Sequence, residues 1–158
     1  MNEGINVINE LLVDIFNDIL QIEQNALQNA AFNDLSITEV HTIEAIGMYK
    51  SGKMTEVACQ LNITLGTLTK AVNQLVKKEY ALRRRSEEDR RIVYVQLTKK
   101  GKLAFRVHHK FHSDMVREAM KGFTEEDEKI LIKSLEKLNN FFKSKYNLKI
   151  RLKENNNE

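Results

Sequence analysis

The chain has 158 residues, of which 42% are apolar, and carries 25 Lys and Arg against 22 Asp and Glu. This suffices for one domain with its own core, or one compact lobe plus an oligomerisation region. No run approaches the roughly 20 apolar residues of a membrane-spanning helix, and the acidic, amphipathic start is unlike a signal peptide. The single Cys59 excludes an internal disulfide, so a cytoplasmic protein with no membrane partner is expected. No glycine-rich phosphate loop or nucleophile–base pair is visible, which argues against an enzyme, and no cofactor is expected.

In chain order, Ile5, Ile8, Leu12, Ile15, Ile19, Ile22 and Ala26 recur at alternating spacings of three and four. This predicts a helix over about residues 5–29 with a heptad-type seam. Leu11, Phe16, Leu20 and Leu27 widen its apolar face, so two sides need covering, one of them by a partner. After a loop over 29–35, Ser36-Ile-Thr-Glu39 forms a capping box that opens a second helix carrying Val40, Ile43 and Ile46. Gly52 breaks the chain.

Residues 54–61 and 65–78 then read as a helix–turn–helix. Val57, Ala58 and Leu61 share one face of the first helix, and Leu65, Leu68, Val72 and Leu75 share one face of the second. Thr64 is placed as N-cap. With the apolar stripe inward, the second helix presents Gly66, Thr67, Lys70, Asn73 and Lys77, which are small, hydrogen-bonding or cationic residues suited to a major groove. Two amphipathic helices alone would be equally at home in any α-domain.

The next stretch decides between these readings. Leu82 to Leu97 ends in a β-branched and aromatic run, the only strand-like run noted in the chain, and has five arginines within the nine residues 83–91. That is a charged hairpin, the wing of a winged helix–turn–helix, suited to phosphate and minor-groove contact. Residues 70–102 hold 11 Lys and Arg against 4 Asp and Glu, a local +7, while the remainder holds 14 against 18. A basic face on a mildly acidic body is the footprint of a DNA-binding protein. Thr98 caps a long helix over about 99–121 bearing Leu103, Val107, Phe111 and Met115, and Gly122 stops it. Thr124 opens a last helix lined by Leu131, Leu135, Leu138 and Phe142.

This order, with Asp89-Arg90-Arg91, Val93, Val95 and Leu97-Thr98-Lys99-Lys100-Gly101, resembles the MarR family of bacterial transcription regulators. Within it the resemblance is to repressors of fatty-acid-synthesis genes in Gram-positive cocci. It is carried by His41-Thr42-Ile43, Ile46-Gly47, Thr64-Leu65-Gly66-Thr67, Glu87 to Arg91, Leu97 to Gly101 and His112. The resemblance implies a homodimeric repressor with one winged domain per half-site of a pseudo-palindromic, AT-rich double-stranded operator. It also implies acyl chains on acyl carrier protein as co-repressor.

The expected fold is mainly α. A winged helix–turn–helix occupies 36–98, dimerisation regions occupy 1–35 and 99–150, and a flexible tail occupies 151–158. The expected DNA-binding residues are Thr64, Gly66, Thr67, Lys70, Asn73, Arg84, Asp89, Arg90 and Arg91. Arg91 resembles the family's minor-groove arginine, and Asp89 braces the wing because a carboxylate beside phosphate would be repelled. Arg83 and Arg85 fall on the opposite side of the strand from Arg84. An apolar effector would lie beside Ile22, Ile43, Val107 and Phe111, residues that equally suit plain core.

Two rival readings stand beside this one. His108 and His112 share a helix face and, with His41 and oxygens from Glu23 or Glu44, could hold zinc, which some relatives in the family sense. That reading, or a phenolic or drug-like ligand, is the alternative to a lipid-linked effector. Cys59, between apolar neighbours, reads as a small buried residue rather than a redox switch.

Overall fold

The computed structural model describes residues 3–28, 32–49 and 51–146. The predicted tail over 151–158, and the last residues of the predicted dimerisation region, lie outside them. Six helices and three short strands follow in the order α1 (Glu3–Gln28), α2 (Ile37–Ile46), β1 (Gly52–Lys53), α3 (Met54–Gln60), α4 (Leu65–Lys77), β2 (Ala81–Arg85), β3 (Val93–Leu97), α5 (Lys99–Ala119) and α6 (Glu125–Lys145). The fold is mainly α, as expected.

Helix starts are set by hydroxyl caps. The side chains of Ser36, Thr64, Thr98 and Thr124 each accept from the amide three residues on, occupying a donor that the first turn leaves unpaired. Ser36 and Thr124 complete capping boxes with Glu39 and Asp127. The Thr124 hydroxyl at 2.6 Å and the Thr124 backbone amide at 2.9 Å both donate to Asp127 Oδ2 and hold its carboxyl below the usual range, the hydroxyl contributing most.

The core is the winged unit. Val40, Ile43 and Ile46 of α2 close on Leu68, Val72 and Leu75 of α4 and on Val57 and Ala58 of α3, all buried. Leu65 was expected on this stripe, yet it is 46% exposed, because the first turn of α4 projects past the core. The expectation for Cys59 is also corrected. Its side chain is exposed, since Met54, Val57 and Ala58 take the inner face of a seven-residue helix and Cys59 turns away from it.

The hairpin is present with β2 antiparallel to β3, in the register Arg83↔Val95 and Arg84↔Tyr94. A third strand joins it. Gly52–Lys53 pairs with the far edge of β3, giving the sheet order β1-β3-β2. A two-residue strand holds no alternation, so only the glycine was readable there.

The root of the sheet is seated on α5. Thr98 N donates to Tyr80 O at 3.0 Å and Thr98 Oγ1 to Glu79 O at 2.7 Å. A Cβ on Gly101 would stand 2.0 Å from Tyr80 O, so no larger residue fits. Tyr80 is itself fully buried, with its hydroxyl donating to Asp34 Oδ1 at 2.6 Å.

On α5 the buried face is Gly101, Ala104 and His108, one step round from the Leu103–Val107–Phe111–Met115 stripe. The small residues allow close approach to the winged unit. Leu103 and Val107 remain 46% and 42% exposed. Along α1 the seam residues Ile5, Ile8 and Ile15 are more than half exposed, as is Leu135 on α6, and α6 buries no residue at all.

Candidate nucleic-acid interface

Helix α4 turns Gly66, Thr67, Lys70, Asn73 and Lys77 to solvent, the face opposite Leu68, Val72 and Leu75. Its approach is shaped by the turn before it. Asn62 takes a left-handed φ of 56°, and Ile63 N donates to Ala58 O at 3.0 Å, closing α3 before Thr64 opens α4. Asn tolerates this conformation better than most side chains. Thr64 Oγ1 accepts from Thr67 N at 3.1 Å and lies 2.9 Å from Thr67 Oγ1, so both hydroxyls sit at the exposed helix start.

The wing displays its arginines. Arg83, Arg84 and Arg85 are all exposed, as are Arg90 and Arg91 in the turn. Asp89 organises that turn. Its Oδ1 accepts from Arg91 N at 2.9 Å and from Arg91 Nε at 3.3 Å, and Ile92 N donates to Asp89 O at 2.9 Å. The Arg91 side chain is 92% exposed despite that contact. Asp89 thus holds a guanidinium outward instead of neutralising it in the interior.

Arg83 has a place that its strand position did not disclose. Its Nη1 donates to Asn73 Oδ1 at 2.5 Å, bridging β2 to the outer face of α4. Strand alternation fixes which way a Cβ points, but a long arginine reaches round the edge. At the far end of α4, Lys78 Nζ donates to both oxygens of Glu39 at 2.8 Å, tying α4 back to α2.

A second feature lies on the other side of α2. A cavity of about 140 Å³ opens between α1, α2 and α5, lined by apolar side chains including Leu27, Phe32, Leu35, Val107 and Phe111, with Glu23 and His108 as its polar wall. Of the four residues expected beside an effector, Val107 and Phe111 line it. Ile43 is instead wholly inside the core, and Ile22 is an exposed residue of α1; neither is part of the lining. The histidines named for metal do converge. His41, His108 and His112 all direct Nε2 at Glu23 Oε1.

The profile of the family described as "Transcriptional regulator SarA/Rot" matches residues 30–106. The chain is similar to Streptococcus pneumoniae FabT, solved in complex with DNA, with 42% identity and a TM-score of 0.84 over 88% of this chain and 97% of that one. It is 26% identical to the HTH-type transcriptional regulator PchR of Bacillus subtilis over 82% of this chain and 86% of the relative. A MarR family protein from Bacillus stearothermophilus shares the fold, with a TM-score of 0.74 at 17% identity over 90% of this chain and 98% of that one. These relatives are regulators, not enzymes. A basic wing beside a solvent-facing recognition helix, in a chain so similar to FabT over nearly its whole length, leads to one conclusion: this chain belongs to the MarR family of winged helix–turn–helix regulators and is a DNA-binding transcriptional regulator.

Proposed function

We propose that the chain acts as a homodimeric repressor of fatty-acid-synthesis genes, with a long acyl chain presented on acyl carrier protein as co-repressor. The observation that carries this reading is the 42% identity to FabT, joined to an apolar cavity between the terminal helices and the winged unit. The dimer is supported by the exposed apolar residues of α1 and α6, which a lone protomer leaves in water. Two recognition helices about 34 Å apart then read successive major grooves of a pseudo-palindrome.

In this reading Thr67 and Lys70 of α4 meet base edges, with Thr64, Gly66 and Asn73 beside them. Arg84 and Arg90 meet phosphates, Arg91 enters an AT-rich minor groove, and Asp89 positions Arg91. Narrow grooves concentrate negative potential and attract a guanidinium. Val107 and Phe111 flank the acyl chain. A ligand changes DNA affinity only through a preference for the DNA-competent dimer, and α5 lines the cavity while its first turn seats the wing.

The test is selection of duplex DNA from a random pool, alone and with apo or long-chain acyl carrier protein. An AT-rich inverted repeat, bound more tightly with the acylated carrier, is expected. A repeat bound equally with either carrier, or released by the acylated one, overturns the co-repressor assignment.

A further inference from the structure

Helix α5 separates its charges by face. Residues 99–113 carry Lys99, Lys100, Lys102, Arg106 and Lys110 and no carboxylate. Lys100 is turned to the winged unit, where its Nζ donates to Lys78 O at 3.0 Å and stands 4.1 Å from the centre of the Tyr80 ring. Lys99, Arg106, Lys110 and Arg117 recur at spacings of seven, four and seven, which puts them in one row along the helix. All four are exposed. Asp114 accepts from Lys110 at 2.5 Å and from Arg117 at 3.1 Å, so two cations share one carboxylate and the row stays net positive.

The row follows the rim of the apolar cavity. Val107, next to Arg106, and Phe111, next to Lys110, both line that cavity. Val107 is also 42% exposed, so it meets solvent as well as the interior. Leu103, one turn earlier, extends the apolar strip. The cavity's other long wall is α1, which has Glu3, Glu10, Asp14, Asp18 and Glu23 and no Lys or Arg. An apolar strip edged by charge has the make-up of a protein interface, with a covered centre and a wet, polar rim. Its polarity selects the partner: an acidic protein is drawn to α5 and repelled by α1.

We propose that Lys99, Arg106, Lys110 and Arg117 form the docking surface for the acidic carrier protein that delivers the acyl chain. A carrier helix with carboxylates at three- and four-residue spacing lies against the row, and its tethered chain passes Val107 into the cavity. The proposal rests on the effector reading above. Lys99 stands beside Thr98 at the root of the wing. At 1.5 Å per residue, Arg106 is about 10 Å and Arg117 about 27 Å further along α5. The surface therefore extends along α5 from the wing's root, so that carrier and operator bind side by side rather than in competition. Each exposed ion pair contributes little, but their joint field steers association and makes it salt-dependent. Burial of the acyl chain supplies the remaining affinity.

The test measures binding of octanoyl- and hexadecanoyl-carrier to the full-length protein by fluorescence anisotropy. The variants are Arg106→Glu, Lys110→Glu and the two combined, with Lys145→Glu at the end of α6 as a control of equal charge change. Each single reversal is expected to weaken both carriers about fivefold, and the double variant about 25-fold, with a shallower salt dependence. The ratio of the two carrier affinities, which reports the cavity, should stay as in the wild type, as should operator affinity without carrier. Reversals that bind carrier as the wild type does, or a loss as large in Lys145→Glu, overturn the surface and leave the effector reading in place. A ratio that collapses in the variants places their effect in the cavity and overturns the docking. Operator affinity that falls as far as carrier affinity gives the row to DNA, and a wild-type dimer that dissociates in the double variant gives it to the acidic α1 of a second copy; either result overturns the docking. A wild type that binds neither carrier overturns the effector reading and this surface with it.

Discussion

Arg83 Nη1 donates to Asn73 Oδ1 across 2.5 Å, joining the wing to the recognition helix on the side turned to solvent. Between exposed residues such a bond contributes on the order of 1 kcal/mol or less to stability. Its effect is angular, because it holds the wing and α4, the two elements proposed to meet DNA, at one relative orientation. Asn73→Ala and Arg83→Ala should therefore each weaken operator binding while leaving the melting temperature nearly unchanged. A double-mutant cycle by fluorescence anisotropy should give losses smaller than the sum of the two. Fully additive losses would mean that the residues act independently.

Arg91 and Asp89 are expected to differ in kind. Arg91→Ala should lower operator affinity and reduce the salt dependence by about one phosphate contact. Asp89→Ala should lower affinity with little change in salt slope, since it frees Arg91 rather than removing it. Asp89→Asn, which retains an oxygen for the Arg91 amide, should fall between Asp89→Ala and wild type. Unchanged affinity of Arg91→Ala at physiological salt would contradict the wing assignment.

Lys70 separates base reading from backbone binding. If it meets a base edge, Lys70→Ala should cost about 1–3 kcal/mol more on the preferred operator than on one altered at the contacted pair. The measurement is a set of operators with single substitutions. A uniform loss across all of them would move Lys70 to a phosphate.

How far these sites could be read in advance follows from the range of the interactions. The caps at Ser36, Thr64, Thr98 and Thr124 were legible because each acts within three residues. The outward face of α4 was legible because Leu68, Val72 and Leu75 keep strict period. Cys59 was not legible because its apolar neighbours Val57 and Ala58 share the inner face of a short helix from which Cys59 itself turns away. The α5 stripe was visible as apolar, but Ala104 and Gly101 next to it took the inner face, since closeness to the winged unit outweighed size. Asn73–Arg83 joins two elements ten positions apart, and no local pattern encodes that meeting. The pairing of His108 with His112 was legible from their one-turn spacing, and the sequence also offered His41 and Glu23 beside them, although these stand up to 89 positions away.

The apolar seam of α1 gives a test of assembly. Ile15 is 51% exposed in one protomer and is expected to be covered in the dimer. Ile15→Asp would place a charge in apolar surroundings at a cost of several kcal/mol. Analytical ultracentrifugation should show dissociation, accompanied by loss of palindrome binding. A wild type that is monomeric yet binds a palindrome tightly would refute the assignment.

The seat of Gly101 against Tyr80 leaves no slack between the first turn of α5 and the root of the wing. Twenty-one residues make α5 roughly 31 Å long, so pivoting it by about 5° swings one end by roughly 3 Å relative to the other. The helix therefore behaves as a stiff lever whose short-range seating is at the wing and whose middle borders the cavity. A rearrangement of a few tenths of an ångström beside Val107 and Phe111 is small in the cavity, yet it is magnified at the wing tip. In the proposed dimer, the two-fold axis would turn both levers alike, and the distance between wing tips would gauge what the cavity holds.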